Sequence, residues 1–473
     1  MAPATAVLVG FALVLGGCDR AAHHVSGARP AGVGSREPTP LSPWPASEDF
    51  DVVTQLPGPV CALVPSGQGE LWYAVTGDEV VAVYLALARQ KVEWRQALPE
   101  EDRLERPRAF PTPGHGIVVG GLVRSPSSGS ARARAAGHFP PDARAAVVAY
   151  APDGTREWSV ERKWGARGDG WLGAWPIMVA HLVFLDGDDL VAVDVRTGKP
   201  TWTAAGPIEV LWGGQGVVVC GVERSGLGFW RGIVGFDAAT GRALWHRALQ
   251  CRVFARVLPV SPARSEAQRK TCWLAEGDRA WCLETTTGRV VHAVALGSGK
   301  EILGVYERKA GPILVGRTYQ AGAGASLEAW NVEGEGLWLQ PLLTAQGVGT
   351  SMRLESRMGR EAAYAFNESP AAAIQVIGVA QGKNLAVVRV NGSFSYTPLI
   401  AESGGQVAIA AGREVAVLAL PSYEPVVTIA TPERHYYGGA TVLQWVSDGV
   451  LAAGTSSGYV LVKGTVPSGA GKW

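Results

Sequence analysis

The stretch Leu190–Trp202, LVAVDVRTGKPTW, joins an apolar run to a Thr-Gly turn signal and a tryptophan. Forty-three residues further on, Ile233–Trp245 repeats this arrangement as IVGFDAATGRALW. In both stretches the glycine follows an aspartate by four residues, and the tryptophan follows the glycine by four. Repetition with a period of roughly 20 to 50 residues is typical of stacked or radial repeat proteins. The chain is therefore predicted to consist of copies of one small structural unit.

Each part of the repeat predicts a local structure. The apolar run before Asp194 is typical of a buried strand. Gly198 can adopt positive φ without steric cost, so Thr-Gly predicts a tight turn. Asp194 is expected to accept hydrogen bonds from backbone N–H groups of that turn. Trp202 then lies on the next strand, where a large ring can wedge between neighbouring sheets and bury a large area.

The copies align on the turn residue and the residue four positions after it. The clear copies are Gly154/Trp158, Gly198/Trp202, Gly241/Trp245, Gly288/His292 and Gly334/Trp338, and the weaker ones are Gln90/Trp94, Gly382/Ala386 and Tyr423/Val427. One long step between copies contains the segment Arg124–Arg144, whose composition is that of an exposed loop. This insertion is either a partner-contact loop or a tolerated surface insertion.

A second strand-like run precedes each turn, so each unit offers about four short strands, the content of a propeller blade. The count is eight turn-bearing units plus a final fragment, Val450–Val462, for which Asp49–Leu56 is the natural pairing partner. Taken literally this makes nine units, and we expect one weak late copy to be irregular or merged. The sequence thus predicts an all-β fold, an eight-bladed β-propeller over residues 49–473, with seven and nine blades as alternatives.

These motifs resemble the PQQ-binding-like repeat family, whose signature is A-x-D-x-x-T-G-x-x-x-W. The match is specific at Asp194, Gly198 and Trp202 and again at Asp237, Gly241 and Trp245, and it extends from Gly58 to the C-terminus. The resemblance implies a propeller, typically of eight blades.

The N-terminus carries an apolar run of ten residues, Ala6–Leu15, followed by Leu15-Gly16-Gly17-Cys18. The run has the length of a signal-peptide core and is too short to span a bilayer. The ending resembles the lipobox of bacterial lipoproteins, which implies a signal peptide over residues 1–17 and an acyl-modified Cys18. Residues 18–48 are rich in Pro, Gly, Ala and Ser and are expected to form a flexible tether. The alternative is a buried N-terminal strand with an incidental cysteine. The lipoprotein interpretation predicts a protein of the cell envelope that faces the periplasm, on either the outer or the inner membrane.

Charge and cysteine content narrow the function classes. Lys plus Arg number 43 and Asp plus Glu number 42, and no basic stripe is evident, which argues against nucleic acid as a partner. We expect a monomer. Cys272 and Cys282 flank a short turn and are predicted to lie nearly opposite each other, as a disulfide or as two buried thiols. No cysteine or histidine spacing typical of a zinc site appears.

Nothing in the sequence predicts catalytic residues, a cofactor or a metal. Gly454–Gly458 matches the hydrolase pattern G-x-S-x-G, but a strand follows it, so a hairpin turn is expected. Enzymes of the PQQ family resemble one another in a vicinal cysteine pair, which this chain lacks, so a PQQ-dependent dehydrogenase is the least favoured function.

Two non-enzymatic functions remain. Signal, lipobox and repeats together resemble the outer-membrane assembly lipoproteins of the BamB type, which implies an interaction scaffold for an envelope protein. The alternative is a periplasmic or surface module that binds a sugar, a peptide or a signal. A local enrichment of tryptophan is interpreted either as packing between units or as an exposed binding surface. Its members are Trp164, Trp171, Trp175 and Trp212.

Overall fold

The fold was analysed in a computed structural model. The structure describes residues 47–465 except positions 68, 115, 215, 259, 412 and 448 and the segments 99–102, 124–143, 164–176, 179–180, 187–188, 225–228, 249–250, 253–255, 262–269, 321–323, 343–354, 360–361, 368–372, 390–398 and 433–438. All regular elements in this part of the chain are strands. Among the described residues there is no helix whose length and apolarity would let it cross a membrane.

The strands form nine mainly antiparallel sheets, which we number as blades 1 to 9. The chain enters through β1 (Ser47–Asp49) and β2 (Asp51–Gln55). Blade 1 comprises β3 (Ala62–Pro65), β4 (Leu71–Val75), β5 (Glu79–Ala86) and β6 (Arg89–Ala97). Blade 2 comprises β7 (Leu104–Pro111), β8 (Ile117–Val123), β9 (Arg144–Tyr150) and β10 (Arg156–Lys163). Blade 3 comprises β11 (Ile177–Met178), β12 (Leu182–Asp186), β13 (Asp189–Val193) and β14 (Pro200–Ala205).

The middle of the chain forms blades 4 to 6. In these blades, as in blades 1 to 3, the first strand is the innermost and the last strand is the outermost. Blade 4 comprises β15 (Pro207–Gly214), β16 (Val217–Arg224), β17 (Phe229–Asp237) and β18 (Ala243–Arg247), with β19 (Cys251–Arg252) paired to β17. Blade 5 comprises β20 (Arg256–Val257), β22 (Thr271–Glu276), β23 (Arg279–Glu284) and β24 (Val290–Ala295), and blade 6 comprises β21 (Val260–Ser261), β25 (Lys300–Tyr306), β26 (Ile313–Gln320), β27 (Gly324–Trp330) and β28 (Gly336–Pro341).

Blades 7 to 9 complete the ring. Blade 7 comprises β29 (Glu355–Met358), β30 (Ala362–Asn367), β31 (Ala373–Gly378) and β32 (Asn384–Arg389). Blade 8 comprises β33 (Leu399–Glu402), β34 (Gln406–Ala411), β35 (Glu414–Ala419) and β36 (Pro425–Ala430). Blade 9 comprises β37 (Ala440–Ser447), β38 (Val450–Thr455) and β39 (Tyr459–Gly464), with β2 as the fourth strand.

The described residues therefore form a nine-bladed all-β propeller, and the all-β class and four-stranded unit are confirmed. Of the stated blade numbers, the alternative of nine is correct and the preferred eight is wrong. The late copies around Gly382 and Tyr423 lack some of the repeated residues but contain all four strands, so neither is merged with a neighbouring blade. The strand-forming apolar alternation survives in them, and it alone is enough to form a blade.

Nine apolar clusters hold the ring together, and each contains side chains of two neighbouring blades. Between blades 1 and 2, for example, Tyr73 and Val80 pack with Ile117 and Tyr150. One of the nine joins Val460 of blade 9 to residues of blade 1 and closes the circle. Full burial of such a side chain contributes about 1.5–3 kcal/mol, so these clusters between the blades stabilise the ring strongly.

The N-terminal segment connects blades 8 and 9. β2 pairs antiparallel with β39, the fragment whose partner was predicted at Asp49–Leu56. β1 pairs parallel with β36, the outermost strand of blade 8, as an added fifth strand. Phe50, which lies between the two strands, is buried in the cluster between blades 8 and 9. Glu48 also forms an ion pair with Lys463, with 3.0 Å between Oε2 and Nζ.

Cys272 and Cys282 form no disulfide, so the alternative of two buried thiols is correct. Cys272 pairs with Leu283, and Cys282 pairs with Trp273. This offset of one residue sends the two side chains to opposite faces of the sheet. Cys272 packs in the cluster between blades 4 and 5, and Cys282 packs in the cluster between blades 5 and 6. Burial raises the pKa of the Cys282 thiol to about 12, which keeps it protonated.

Candidate interaction surface at the outer rim

The repeated tryptophan forms a latch to the following blade. Its indole Nε1–H donates to a carbonyl oxygen in the turn that joins the last two strands of that next blade. These bonds run from Trp94 to Pro152 (2.7 Å), Trp158 to Val195 (3.0 Å), Trp202 to Ala238 (3.0 Å), Trp245 to Thr285 (2.7 Å) and Trp338 to Val379 (3.0 Å). The wedge predicted between neighbouring sheets is thus confirmed, with a hydrogen bond added to the buried area.

The latch explains why the turn residue is glycine. Gly198 has a φ of +65°, and a Cβ added there would lie 2.6 Å from the indole of Trp158. The equivalent distances are 2.8 Å at Gly154 and 2.5 Å at Gly241, again to the indole of the preceding blade. Real Cβ contacts are much longer, so a side chain here would displace the ring. Both the backbone conformation and the neighbouring blade therefore demand glycine.

The repeated aspartate stabilises the turn as expected. Asp194 Oδ1 accepts hydrogen bonds from the backbone N–H groups of Arg196 and Thr197, both at 2.9 Å, and from the Thr197 hydroxyl at 3.1 Å. Asp237 accepts the same set, including the Thr240 hydroxyl at 2.8 Å. The Thr240 hydroxyl and then its backbone N–H hold the pKa of Asp237 below its usual value. These carboxylates have a structural role in the turns.

Four of the nine junctions between blades lack the repeated tryptophan. His292, Ala386 and Val427 occupy its position in blades 5, 7 and 8, and the outer strand of blade 9, β2, contains no tryptophan. At the junction of blades 7 and 8, Tyr423 takes the turn position with a φ of +58°. Its side chain is buried in the cluster between these blades, which also contains Ala386. A large side chain on the turn thus replaces the large side chain of the preceding blade.

The outermost strands differ in charge from blade to blade. An outer strand presents one row of backbone hydrogen-bonding groups, and proteins commonly protect such edges with charged residues. β6 reads RQKVEWRQA and β10 reads REWSVERK, so both are densely charged. In contrast, β24 (VVHAVA), β28 (GLWLQP) and β36 (PVVTIA) contain no Lys, Arg, Asp or Glu. Of these three, β36 is covered by β1.

Exposed aliphatic side chains concentrate on the same part of the rim. Seven large hydrophobic residues of the described chain are exposed, and five of them lie on the outer strands of blades 5, 6 and 7. Those five are Val290, Val291, Leu337, Leu339 and Leu385. The outer strand β14 is also uncharged, but it exposes Thr201 and Thr203 instead. We call the surface of β24, β28 and β32 with these five residues the apolar rim. The sequence shows that these strands have few charged residues, but only the structure shows that they are the outermost strands of their blades.

Several predicted features lie outside the described residues. These are the signal peptide, Cys18, most of the tether and of the insertion Arg124–Arg144, and three of the four clustered tryptophans. The fourth, Trp212, is buried between blades 4 and 5, in agreement with packing between units.

The described residues contain no group of three His, Cys, Asp or Glu side chains placed to hold a metal ion. Ser456 and Ser457 lie in the turn between β38 and β39, which confirms the predicted hairpin. His292 stacks on Trp273 with ring centroids 5.9 Å apart, as part of the packing.

No family model matches the chain, and no curated protein matches it in sequence. Three solved structures similar to it are BamB from Moraxella catarrhalis, a quinohemoprotein alcohol dehydrogenase from Pseudomonas putida HK5 and a eukaryotic initiation factor. Their identities are 15%, 13% and 12%, and their TM-scores are 0.41, 0.42 and 0.50. The matches cover 87%, 85% and 81% of this chain and 99%, 74% and 90% of those chains. At such identities the likeness concerns the fold alone.

Proposed function

We propose that this protein is a lipid-anchored scaffold of the bacterial cell envelope that binds a partner protein through its apolar rim. The observation that carries the proposal is the pair of uncharged outer strands, β24 and β28, with their exposed aliphatic side chains. An unprotected, aliphatic strand edge is a hazard for aggregation unless a partner covers it. The protein itself covers the comparable edge of blade 8 with β1.

The N-terminal sequence supports the placement in the envelope. The apolar run Ala6–Leu15 and the ending Leu-Gly-Gly-Cys at Cys18 resemble a lipoprotein signal. A lipid on Cys18 followed by the polar tether would hold the propeller near a membrane and leave the rim accessible. A role in outer-membrane protein assembly is the specific form that we favour. We assign the protein no catalytic activity.

The anchor is tested by replacing Cys18 with serine. Cells that express the wild-type protein and are fed labelled palmitate should yield a labelled band in the membrane fraction, and Cys18→Ser should yield neither label nor membrane association. Equal membrane association of both proteins would contradict the anchor.

The scaffold is tested by affinity purification from detergent-solubilised envelopes, with mass spectrometry of the co-purifying proteins. Leu337→Lys introduces a charge on the edge of blade 6, and Glu157→Lys places a lysine at the equivalent repeat position of blade 2, which is already charged. We expect a stoichiometric outer-membrane assembly partner with the wild type and with Glu157→Lys, but not with Leu337→Lys. A wild-type preparation without a protein partner would refute the scaffold.

A further inference from the structure

The outermost strands of blades 6 and 8 have the same register within their blades. In β28, Leu339 pairs with Glu328, and in β36, Thr428 pairs with Ala416. In both strands a bulge lies just before the residue at the repeated tryptophan position. Leu339 therefore occupies in blade 6 the position that Thr428 occupies in blade 8.

This register shows which backbone groups of β28 face outward. Leu342 N donates to Ala325 O at 3.0 Å, so residue 342 bonds inward to the rest of the blade. Successive residues of an antiparallel strand alternate between hydrogen-bonded and non-hydrogen-bonded positions. Trp338 and Gln340 therefore bond inward, and the N–H and C=O groups of Leu339 point away from the sheet.

In blade 8 the corresponding outward groups carry β1. Thr431 N donates inward to Arg413 O at 2.8 Å, as Leu342 N does in blade 6. On the outer side, Ala430 O accepts the N–H of Phe50 at 3.3 Å, and β1 pairs parallel with β36. In the part of the chain that the structure describes, no strand pairs with the outer side of β28. Blade 6 thus leaves open the edge that the protein covers in blade 8.

The open part of the β28 edge ends at Pro341. Proline has no N–H group, and Pro341 O accepts a hydrogen bond from Gln375 Nε2 of blade 7 at 3.2 Å. The remaining stretch, Gly336–Gln340, contains no charged residue, and Leu337 and Leu339 are 41% and 48% exposed. An added strand would find backbone partners and two aliphatic side chains there.

Two carboxylates mark the beginning of this edge. Glu333 and Glu335 are exposed in the turn that precedes β28. Glu335 directly follows the turn glycine, and the same repeat position is Arg289 in blade 5 and Lys383 in blade 7. The edge of blade 6 therefore favours a basic residue at its start, where the edges of the two neighbouring blades repel one.

We propose that an extended segment of the partner protein adds to β28 as an outer strand of blade 6, parallel to β28, and that this segment begins with Lys or Arg. This inference rests on the proposed scaffold function and specifies where and how the partner docks. The segment exchanges hydrogen bonds with the outward groups of Leu339 and packs apolar side chains on Leu337 and Leu339. Its basic residue lies against Glu333 and Glu335.

The probe is a fluorescein-labelled peptide of two lysines followed by alternating threonine and valine, titrated into the full-length protein in detergent and followed by anisotropy. The same peptide with two glutamates in place of the lysines is its control. We expect the lysine peptide to bind about fivefold more tightly at low salt, because it forms two exposed charge pairs. Added salt should reduce this preference.

Leu339→Pro is the decisive variant, because it removes an outward N–H group and leaves the inward hydrogen bonds of β28 in place. Proline is tolerated at such positions of edge strands. Thr203→Pro makes the same change at the equivalent position of blade 3, where Lys199 follows the turn glycine. We expect Leu339→Pro to lose binding of the lysine peptide and Thr203→Pro to retain it.

Glu333→Lys serves if Leu339→Pro does not fold. It lies on an exposed turn and should abolish the preference for the lysine peptide without changing the thermal unfolding midpoint. Equal binding of both peptides to the wild type, or unchanged binding to a folded Leu339→Pro protein, would overturn the proposal. A wild-type dimer in sedimentation that Leu339→Pro abolishes would assign the edge to a second copy of this chain, and it would overturn the proposal as well.

The two proposals fail separately. If the wild type and Leu339→Pro purify the same envelope partner in equal amounts, the scaffold stands and strand addition at β28 is wrong. If no partner purifies with the wild type but the lysine peptide binds and Leu339→Pro abolishes its binding, the strand-addition site stands and the scaffold is wrong.

Discussion

Blades 1 to 5 and blades 7 to 9 solve the same packing problem by different means. Each junction from blade 1 to blade 5 uses a tryptophan of one blade above the turn of the next. The junction of blades 7 and 8 uses Tyr423 on the turn itself, and that of blades 8 and 9 uses Phe50 from the N-terminal segment. At each of these junctions a large side chain fills the space between the blades, and the repeat motif is one of several ways to supply it.

Removal of a latch should have the largest effect. Trp202→Ala deletes a buried ring and its hydrogen bond to Ala238, and we expect the free energy of unfolding to fall by about 3–5 kcal/mol. His292→Ala, at the same repeat position without a latch, should cost about 1 kcal/mol. Urea denaturation followed by tryptophan fluorescence measures both. Similar losses would show that the indole contributes nothing beyond its place on the strand.

The replacement at blades 8 and 9 should be nearly as important. Phe50→Ala leaves a cavity between the two blades, and we expect a loss of about 3 kcal/mol in the same assay. Val52→Ala, at an exposed position on the adjoining strand, should change stability by less than about 0.5 kcal/mol. A small loss for Phe50→Ala would mean that the outer strand β1 is not needed to close the ring.

The turn glycines offer a finer comparison. Gly198→Ala and Gly334→Ala both place a side chain at positive φ, which costs about 1–2 kcal/mol. Gly198→Ala must also displace the indole of Trp158, at a further cost of about 1–3 kcal/mol. Thermal unfolding of the two variants should therefore show the larger decrease for Gly198→Ala. Equal decreases would argue that backbone conformation alone selects glycine.

The smallest effect concerns the turn carboxylates. The Thr240 hydroxyl lowers the pKa of Asp237 in the folded state, so its contribution is present above the unfolded pKa of about 4 and is lost as pH falls through the lower folded value. Asp237→Asn should cost less than about 1 kcal/mol at neutral pH, because the group is near solvent. The gap between wild type and variant should shrink on acidification. A gap independent of pH would assign the effect to shape rather than charge.

The local elements of the fold were predictable from particular residues. Asp194 and Gly198 predicted the turn because the hydrogen bond that Asp194 accepts and the positive φ of Gly198 involve only residues close together along the chain. The weak copy at Tyr423 was aligned correctly, but its role as a filler was not visible, because it depends on Ala386 of the preceding blade. The short strands β1 and β21 were also not predicted, because a strand of two or three residues is too short to show a periodic pattern of apolar residues.

The amino-acid sequence alone was enough to establish the repeat, the all-β class, the four-stranded unit, the turn chemistry and the direction of ring closure. All of these depend on side-chain periodicity and on interactions between near neighbours. The number of blades, the opposite faces of Cys272 and Cys282 and the target of each tryptophan required the folded ring. These features depend on which surfaces meet after distant segments pack together, and strand register and steric contact between blades settle them.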